Sequence, residues 1–164
     1  MGGGKMSRLL DGRPLLLHAL DPLLGLGLGE IVVVTGFEAE TVEAVLPSAV
    51  RSVRCPDFGE GMGTSLAAGV RAVRRDAAGI LVALGDMPRV PAGHYRALLE
   101  ASGDLVATRA GQYAGPPAFF TATFRADLEG LRGDRGAKHL FGVTTRFVEA
   151  AASSVVDWDE EDSL

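Results

Sequence analysis

Cysteine is almost missing from this sequence: Cys55 is the single example in 164 residues. An internal disulfide framework is thereby excluded, and a reducing compartment is suited. Long apolar runs are missing too. The apolar stretch at 15–29 is broken by His18, Asp21 and Pro22, whereas about 20 uninterrupted apolar residues are needed to cross a bilayer. No apolar leader followed by a small-residue cleavage site is visible. Excess positive charge is absent: 21 acidic residues against 16 basic ones give a formal net charge of -5. That argues against nucleic acid or an anionic membrane as the main partner, although a pocket on an acidic protein can still be locally basic. There is no internal repeat, long linker or low-complexity block. A single cytoplasmic domain over residues 1–164 is the expectation.

What is present is an ordinary globular composition, 47% hydrophobic and 23% charged, in a chain long enough to bury a substantial core. Apolar runs alternate with helix-period segments, which predicts an α/β fold with a mostly parallel sheet and helices on its faces. Pro14 stands where the first turn of a helix tolerates it, with Leu15, Leu16, Ala19 and Leu20 on one side. Residues 31–35 (IVVVT) predict a buried strand stopped by Gly36. A helix over 38–46 ends at Pro47, and a short strand follows at 50–54. Residues 59–65 (GEGMGTS) form a glycine-rich turn before a helix over 66–75. Residues 80–84 (ILVAL) are the clearest buried strand, and Pro91 opens a helix reaching about residue 101. Strands at 104–108 and 118–120 follow, then two helical pieces bracketing 133–136. Short strands at 147–150 and 154–156 precede an acidic tail.

Ligands of open α/β sheets bind beyond the carboxyl ends of the strands, and Asp86 stands at such a place, after Gly85. A half-buried carboxylate is costly there without a compensating cation. Magnesium carrying nucleotide phosphates would supply one; a simple cap of the turn is the alternative. Gly61, Met62, Gly63, Thr64 and Ser65 precede a helix, where backbone N–H groups and the helix dipole suit an anion. The competing reading is an ordinary loop with Thr64 or Ser65 as helix cap. The segment lacks both the Walker A ending and the dinucleotide spacing. Gly2, Gly3, Gly4 and Lys5 pair a flexible loop with a point charge for phosphate, or are merely a loose chain start. Arg135 and Lys138 either neutralise an anionic substrate or are solvated. His18, His94 and His139 have no metal-ligand spacing and read as structural or exposed. Cys55 reads as a small residue beside a turn. Around Trp158, the carboxylates Asp157, Asp159, Glu160, Glu161 and Asp162 are either a tail or the source of a second metal ligand.

In their order these segments resemble the molybdenum cofactor cytidylyltransferase branch of the MobA-like nucleotidyltransferases over nearly the whole chain. Met1-Gly2-Gly3-Gly4-Lys5 resembles the end of the signature loop LAAGxSxRMGxxK. Gly12-Arg13-Pro14-Leu15-Leu16 and His18-Ala19-Leu20 match the helix after it, and Val32-Val33-Val34-Thr35-Gly36 the next strand and turn. Gly61-Met62-Gly63-Thr64-Ser65-Leu66 resembles the branch-specific GMGTSL segment, and Leu84-Gly85-Asp86-Met87-Pro88 the metal-binding turn. Gly115, Pro117 and Phe120 resemble the GxPxxF region, with Pro116 where a histidine is usual. Gly133-Asp134-Arg135-Gly136-Ala137 resembles GDRGAR, and Asp157-Trp158-Asp159 with Asp162 and Leu164 resembles DIDTPEDL.

The resemblance implies a Rossmann-like three-layer α/β/α domain. Its usual first strand and much of the nucleotide-gripping loop are expected to be missing, because the pattern begins upstream of Met1. A lost central strand exposes pairing edges, so weaker nucleotide binding and lower stability are expected. The implied reaction is transfer of a nucleoside monophosphate from CTP or GTP to a phosphorylated small molecule, the molybdopterin cofactor, releasing pyrophosphate. Asp86 would hold Mg2+, with Asp157 or Asp159 completing the shell, and Lys5 would offset phosphate charge. Gly2, Gly3, Gly4, Gly61, Met62, Gly63, Thr64, Ser65 and Gly85 would contribute to binding, and a molybdoenzyme is a partner the resemblance allows. A phosphate monoester, with its second pKa of about 6, needs no strong general base. Catalysis would then rest on in-line positioning and charge neutralisation. Two other classes stay open: an oxidoreductase relative acting on an aromatic pigment, and a non-catalytic module that binds the cofactor or a molybdoenzyme.

Overall fold

A computed structural model of the chain describes residues 5–158. Asp11 and Gly12 both take positive φ, 51° and 79°. That twist suits a two-residue hairpin turn, and it joins β1 (Leu9–Leu10) to β2 (Arg13–Pro14) with Leu10 opposite Arg13. The His18 ring holds the hairpin through Nε2 and the Leu10 carbonyl at 2.8 Å. Helix α1 (Leu15–Leu24) starts directly after Pro14 and buries Leu15, Leu16, Ala19, Leu20 and Leu23, the stripe its spacing predicts.

Strand β3 (Val32–Thr35) pairs in parallel with β4 (Arg51–Arg54), Val32 opposite Arg51. The helix between them, α2 (Ala39–Glu43), is shorter than the expected 38–46. Past Glu43 the chain tightens into bonds from Val45 N–H to the Val42 carbonyl and from Leu46 N–H to the Glu43 carbonyl, a common way to close a helix end.

Helix α3 (Met62–Ala72) leads to β5 (Gly79–Val82) and α4 (Ala92–Glu100). Strands β6 (Leu105–Ala110) and β7 (Tyr113–Thr121), helix α5 (Arg125–Glu129) and strand β8 (Arg146–Glu149) complete the order. The four-stranded sheet runs β5-β7-β6-β8, with β7 antiparallel to both neighbours and β8 parallel to β6. The α/β expectation with a mostly parallel sheet holds: β5, β6 and β8 run in one direction, and β7 alone is reversed. The reason lies in two residues. Gly111 and Gln112 alone connect β6 to β7, which permits a hairpin but no crossover. Among the described residues β3 and β5 share no ladder. The strand expected at 154–156 is not formed. Residues Ala152–Ser154 make a 3-10 turn in which the Ser154 hydroxyl donates to the Ala151 carbonyl at 2.7 Å.

Alternation along the strands sorts the core into two layers. Ile80, Val82, Leu105, Ala107, Ala118 and Phe120 face Ala67 and Val70 of α3 and Leu128 of α5. Their neighbours Leu81, Val106 and Phe119 face Leu16 and Leu20 of α1 and Tyr95 and Leu98 of α4. Helices thus cover both faces of the sheet. Phe120 is fully buried, worth about 1.5–3 kcal/mol relative to exposure.

Candidate active site

Strand β5 ends at Val82, and Ala83 and Leu84 carry the chain to a turn at Gly85-Asp86. A Cβ on Gly85 would lie 2.9 Å from Met6 Sδ and 3.0 Å from Leu16 Cδ1. Glycine therefore lets the 3-10 turn Lys5–Ser7 close over the strand end. Closure brings Lys5 Nζ to 3.8 Å from Asp86 Oδ2, both side chains about a quarter exposed. A pair this open contributes under about 1 kcal/mol, so its consequence is placement rather than stability. From the other end of the chain, buried Trp158 donates its backbone N–H to the Asp86 carbonyl at 2.8 Å. This bond delivers Asp157 to the same corner.

Tyr113 reports the convergence. Burial, then the charges of Asp157 and Asp86, push its phenol up to about 12. It lines a cavity of about 300 Å³ with Met62, Pro116, Asp134, Lys138 and Asp157, among others. This cavity, not the larger groove of about 450 Å³ beside α4 and β8, takes Asp157 and the flanks of the Asp86 turn, Leu84 and Met87, into its lining.

The glycine-rich segment supports one wall. Residues Gly63, Thr64 and Ser65 lie in the first turn of α3 rather than in the expected turn over 59–65. The Gly63 N–H donates to the Gly133 carbonyl at 2.8 Å, and the Gly133 N–H donates to Thr64 Oγ1 at 3.1 Å. Thr64 in turn donates to Glu60 Oε2 at 3.2 Å. A Cβ on Gly61, whose φ is 131°, would collide with Asp134 Oδ1 and the Gly133 backbone, and one on Gly63 with the Arg135 carbonyl. These glycines are required by the docking of the 133–136 loop, and the Gly63 donor is committed to it. The docked loop brings Asp134, and the 3-10 turn Ala137–Leu140 that follows it brings Lys138, to the lining of the cavity that Tyr113 shares.

Of the residues singled out in the sequence, Lys5, Gly85, Asp86 and Asp157 come together, and Met62 lines the adjoining cavity. Gly61, Gly63 and Thr64 stand behind Met62, and Ser65 is half-buried in the same turn. Gly2, Gly3, Gly4 and Asp159 lie outside the described residues. Lys138 lines the cavity; exposed Arg135 does not. His94 and His18 are hydrogen-bonded within the fold, and His139 is exposed. Cys55 is buried with a free thiol. Tyr113 had no sequence signal beyond an aromatic two residues before a glycine. Among the described residues no three His, Cys, Asp or Glu side chains converge as a metal site. Two carboxylates nevertheless fit magnesium, which takes its other ligands from water and phosphate oxygens. Among those residues no helix is long and apolar enough to cross a membrane.

Residues 1–150 match a family model described as the MobA-like NTP transferase domain. Purine catabolism protein PucB of Bacillus subtilis (strain 168) is 35% identical over 89 residues, covering 52% of this chain and 43% of PucB. The chain spans less than half the length of the curated relatives it matches. The crystal structure of Rv0371c from Mycobacterium tuberculosis H37Rv superposes with a TM-score of 0.82 at 24% identity, over 99% of this chain and 87% of that one. A nucleotidyl transferase from Methanothermobacter thermautotroptrophicus (Mth528) gives 0.76 at 27%, over 91% and 76%. The fold is the Rossmann-like α/β arrangement of these proteins.

Proposed function

The chain belongs to the MobA-like NTP transferase domain family, and on that premise we propose that it transfers a nucleoside monophosphate from CTP to the phosphate of a molybdopterin-type cofactor. GTP is the alternative donor, and pyrophosphate is the second product. One observation carries the reading: Lys5, Asp86 and Asp157 meet at the end of β5, beside a cavity with a cation of its own in Lys138.

The chemistry needs little beyond position and charge. An acceptor phosphate oxygen attacks the α-phosphorus of the nucleotide; the new O–P bond forms as the bond to the bridging oxygen of pyrophosphate breaks. The attacking phosphate, with its second pKa of about 6, is already mostly ionised near neutrality, so no side chain has to remove a proton. Tyr113, held protonated, is not a base. Asp86 and Asp157 would hold Mg2+, whose charge offsets that of the transferred group and the leaving pyrophosphate. Lys5 faces the same corner and would neutralise triphosphate oxygens, while Lys138 would meet the acceptor phosphate across the cavity. A reducing cytoplasm suits the free thiol of Cys55.

Asp86→Asn tests the assignment. It keeps the backbone carbonyl that holds Trp158, so circular dichroism is expected to match wild type while magnesium-dependent pyrophosphate release is lost. Undiminished turnover in this variant overturns the metal role of Asp86, and a panel of CTP and GTP with the wild-type protein decides the donor.

A further inference from the structure

The proline pair of β7 sits at a break in the sheet. Pro116 and Pro117 have no N–H to give to a neighbouring strand, and the ladder to β6 skips them: Ala107 faces Ala118, and Thr108 faces Gly115. Bulges of this kind re-aim a strand beside functional sites. Strand β5 makes its last pair at Val82 with Ala118. The proline step therefore projects past the end of β5, where Pro116 lines the cavity beside Leu84.

Both carbonyls of the step are taken by side-chain hydroxyls instead of a partner strand. Tyr113 Oη donates to the Pro116 carbonyl at 2.5 Å, and Thr108 Oγ1 donates to the Pro117 carbonyl at 2.6 Å. The Thr108 oxygen, its proton spent, accepts from His94 Nε2 at 2.8 Å. Thr108 and Pro117 are fully buried, and His94 is 8% exposed. The Tyr113 ring reaches its carbonyl by lying across Gly115, where a Cβ would be 2.5 Å from the phenol oxygen.

We infer that Thr108 and Tyr113 form a two-point clamp that sets the Pro116–Pro117 wall of the acceptor pocket, with His94 fixing the direction of the Thr108 hydroxyl. All three are positioning residues. A valine at 108 would fill the same space without a buried polar chain to satisfy, and polar chains in a core are demanding to keep. What valine cannot do is hold the Pro117 carbonyl. The kinetic part of the inference rests on the proposed nucleotidyl transfer; the structural part does not. Displacement of a binding wall by about 1 Å is enough to cost up to about a hundredfold in rate.

Thr108→Val and Tyr113→Phe each remove one hydroxyl and little else, and Thr108→Ser restores the first. Hydrogen exchange of the segment 113–118, measured without any ligand, is expected to quicken about tenfold in either variant, the worth of one buried hydrogen bond. With Mg2+, CTP and molybdenum cofactor, KM for the cofactor is expected to rise about fivefold to tenfold. KM for CTP should stay within about twofold, and Thr108→Ser should return both readouts to wild type. Unchanged exchange in both variants overturns the clamp. A rise in both KM values together reduces it to a general packing role and overturns it as a positioning device. Absence of wild-type turnover with this cofactor sinks the acceptor assignment alone, since the exchange arm still judges the clamp.

Discussion

Two glycine-to-alanine substitutions, both inside helices, are expected to move stability in opposite directions. Helix propensity favours alanine by up to about 1 kcal/mol, so propensity alone predicts that Gly63→Ala stabilises α3. Packing reverses the sign. The added methyl would collide with the Arg135 carbonyl oxygen and lie 3.0 Å from the Gly133 oxygen. Both are backbone atoms that cannot rotate away. The 133–136 loop has to lift, and the bonds from Gly63 N–H to Gly133 and from Gly133 N–H to Thr64 go with it. Two hydrogen bonds at about 1 kcal/mol each and overpacking of about 1–3 kcal/mol, less the propensity gain, leave a net loss of about 2–4 kcal/mol. For a chain of this length that lowers Tm by roughly 5–15 °C. Gly93→Ala in α4 is the control, because nothing beyond its chain neighbours and its own helix backbone lies within 4 Å of its Cβ position; a gain of about 0.5 kcal/mol is expected. Thermal unfolding followed by circular dichroism reads both. If Gly63→Ala melts at or above wild type, the docking of the two glycine segments is not what demands glycine there. Asp134 rides on the lifted loop and Lys138 follows it in the next turn, so the same variant is expected to raise KM for the acceptor.

Lys5→Ala should weaken magnesium–CTP binding about tenfold by calorimetry, the scale of one charge-assisted contact; an unaltered affinity refutes its role. Burial holds His94 below its ordinary value of 6.5. Its contribution to stability is therefore fully present above that value and lost as pH falls through the folded-state pKa. Urea midpoints between pH 8 and 5 should show an acid-side loss that His94→Gln reduces, and a wild-type-minus-variant difference independent of pH contradicts this. Tyr113 should ionise near 12 in an ultraviolet titration. Asp157→Asn should lower that value, because one of the opposing charges is gone; no change places Asp157 away from the phenol.

Local pattern carried far in this chain. The stripe of Leu15, Leu16, Ala19 and Leu20, the runs at 31–35 and 80–84, and the turn at Gly85-Asp86 were legible because burial imposes a period that needs no knowledge of partners. The resemblance added the family and a functional meaning for Lys5, Asp86 and Asp157. Other assignments depended on distant segments. Met62, Gly63 and Thr64 look like a loop when glycine is weighed alone, yet they are helical because the loop at 133–136 docks on them. Strand β7 runs antiparallel because its connection to β6 is two residues long, a constraint set by register rather than by composition.

Sequence by itself determined the α/β class, the helix and strand nuclei, and the carboxylate at the end of β5. Tertiary structure alone decided which residues stand around that carboxylate. Lys5, Tyr113 and Asp157 are up to about 150 positions apart, and their meeting depends on Trp158 bonding to the Asp86 carbonyl and on Gly85 admitting Met6, while Lys138 reaches the neighbouring cavity because Gly61 and Gly63 admit the 133–136 backbone. Periodicity encodes which face of an element is buried; it does not encode what lies against that face, because close packing is settled between surfaces brought together only in the folded chain.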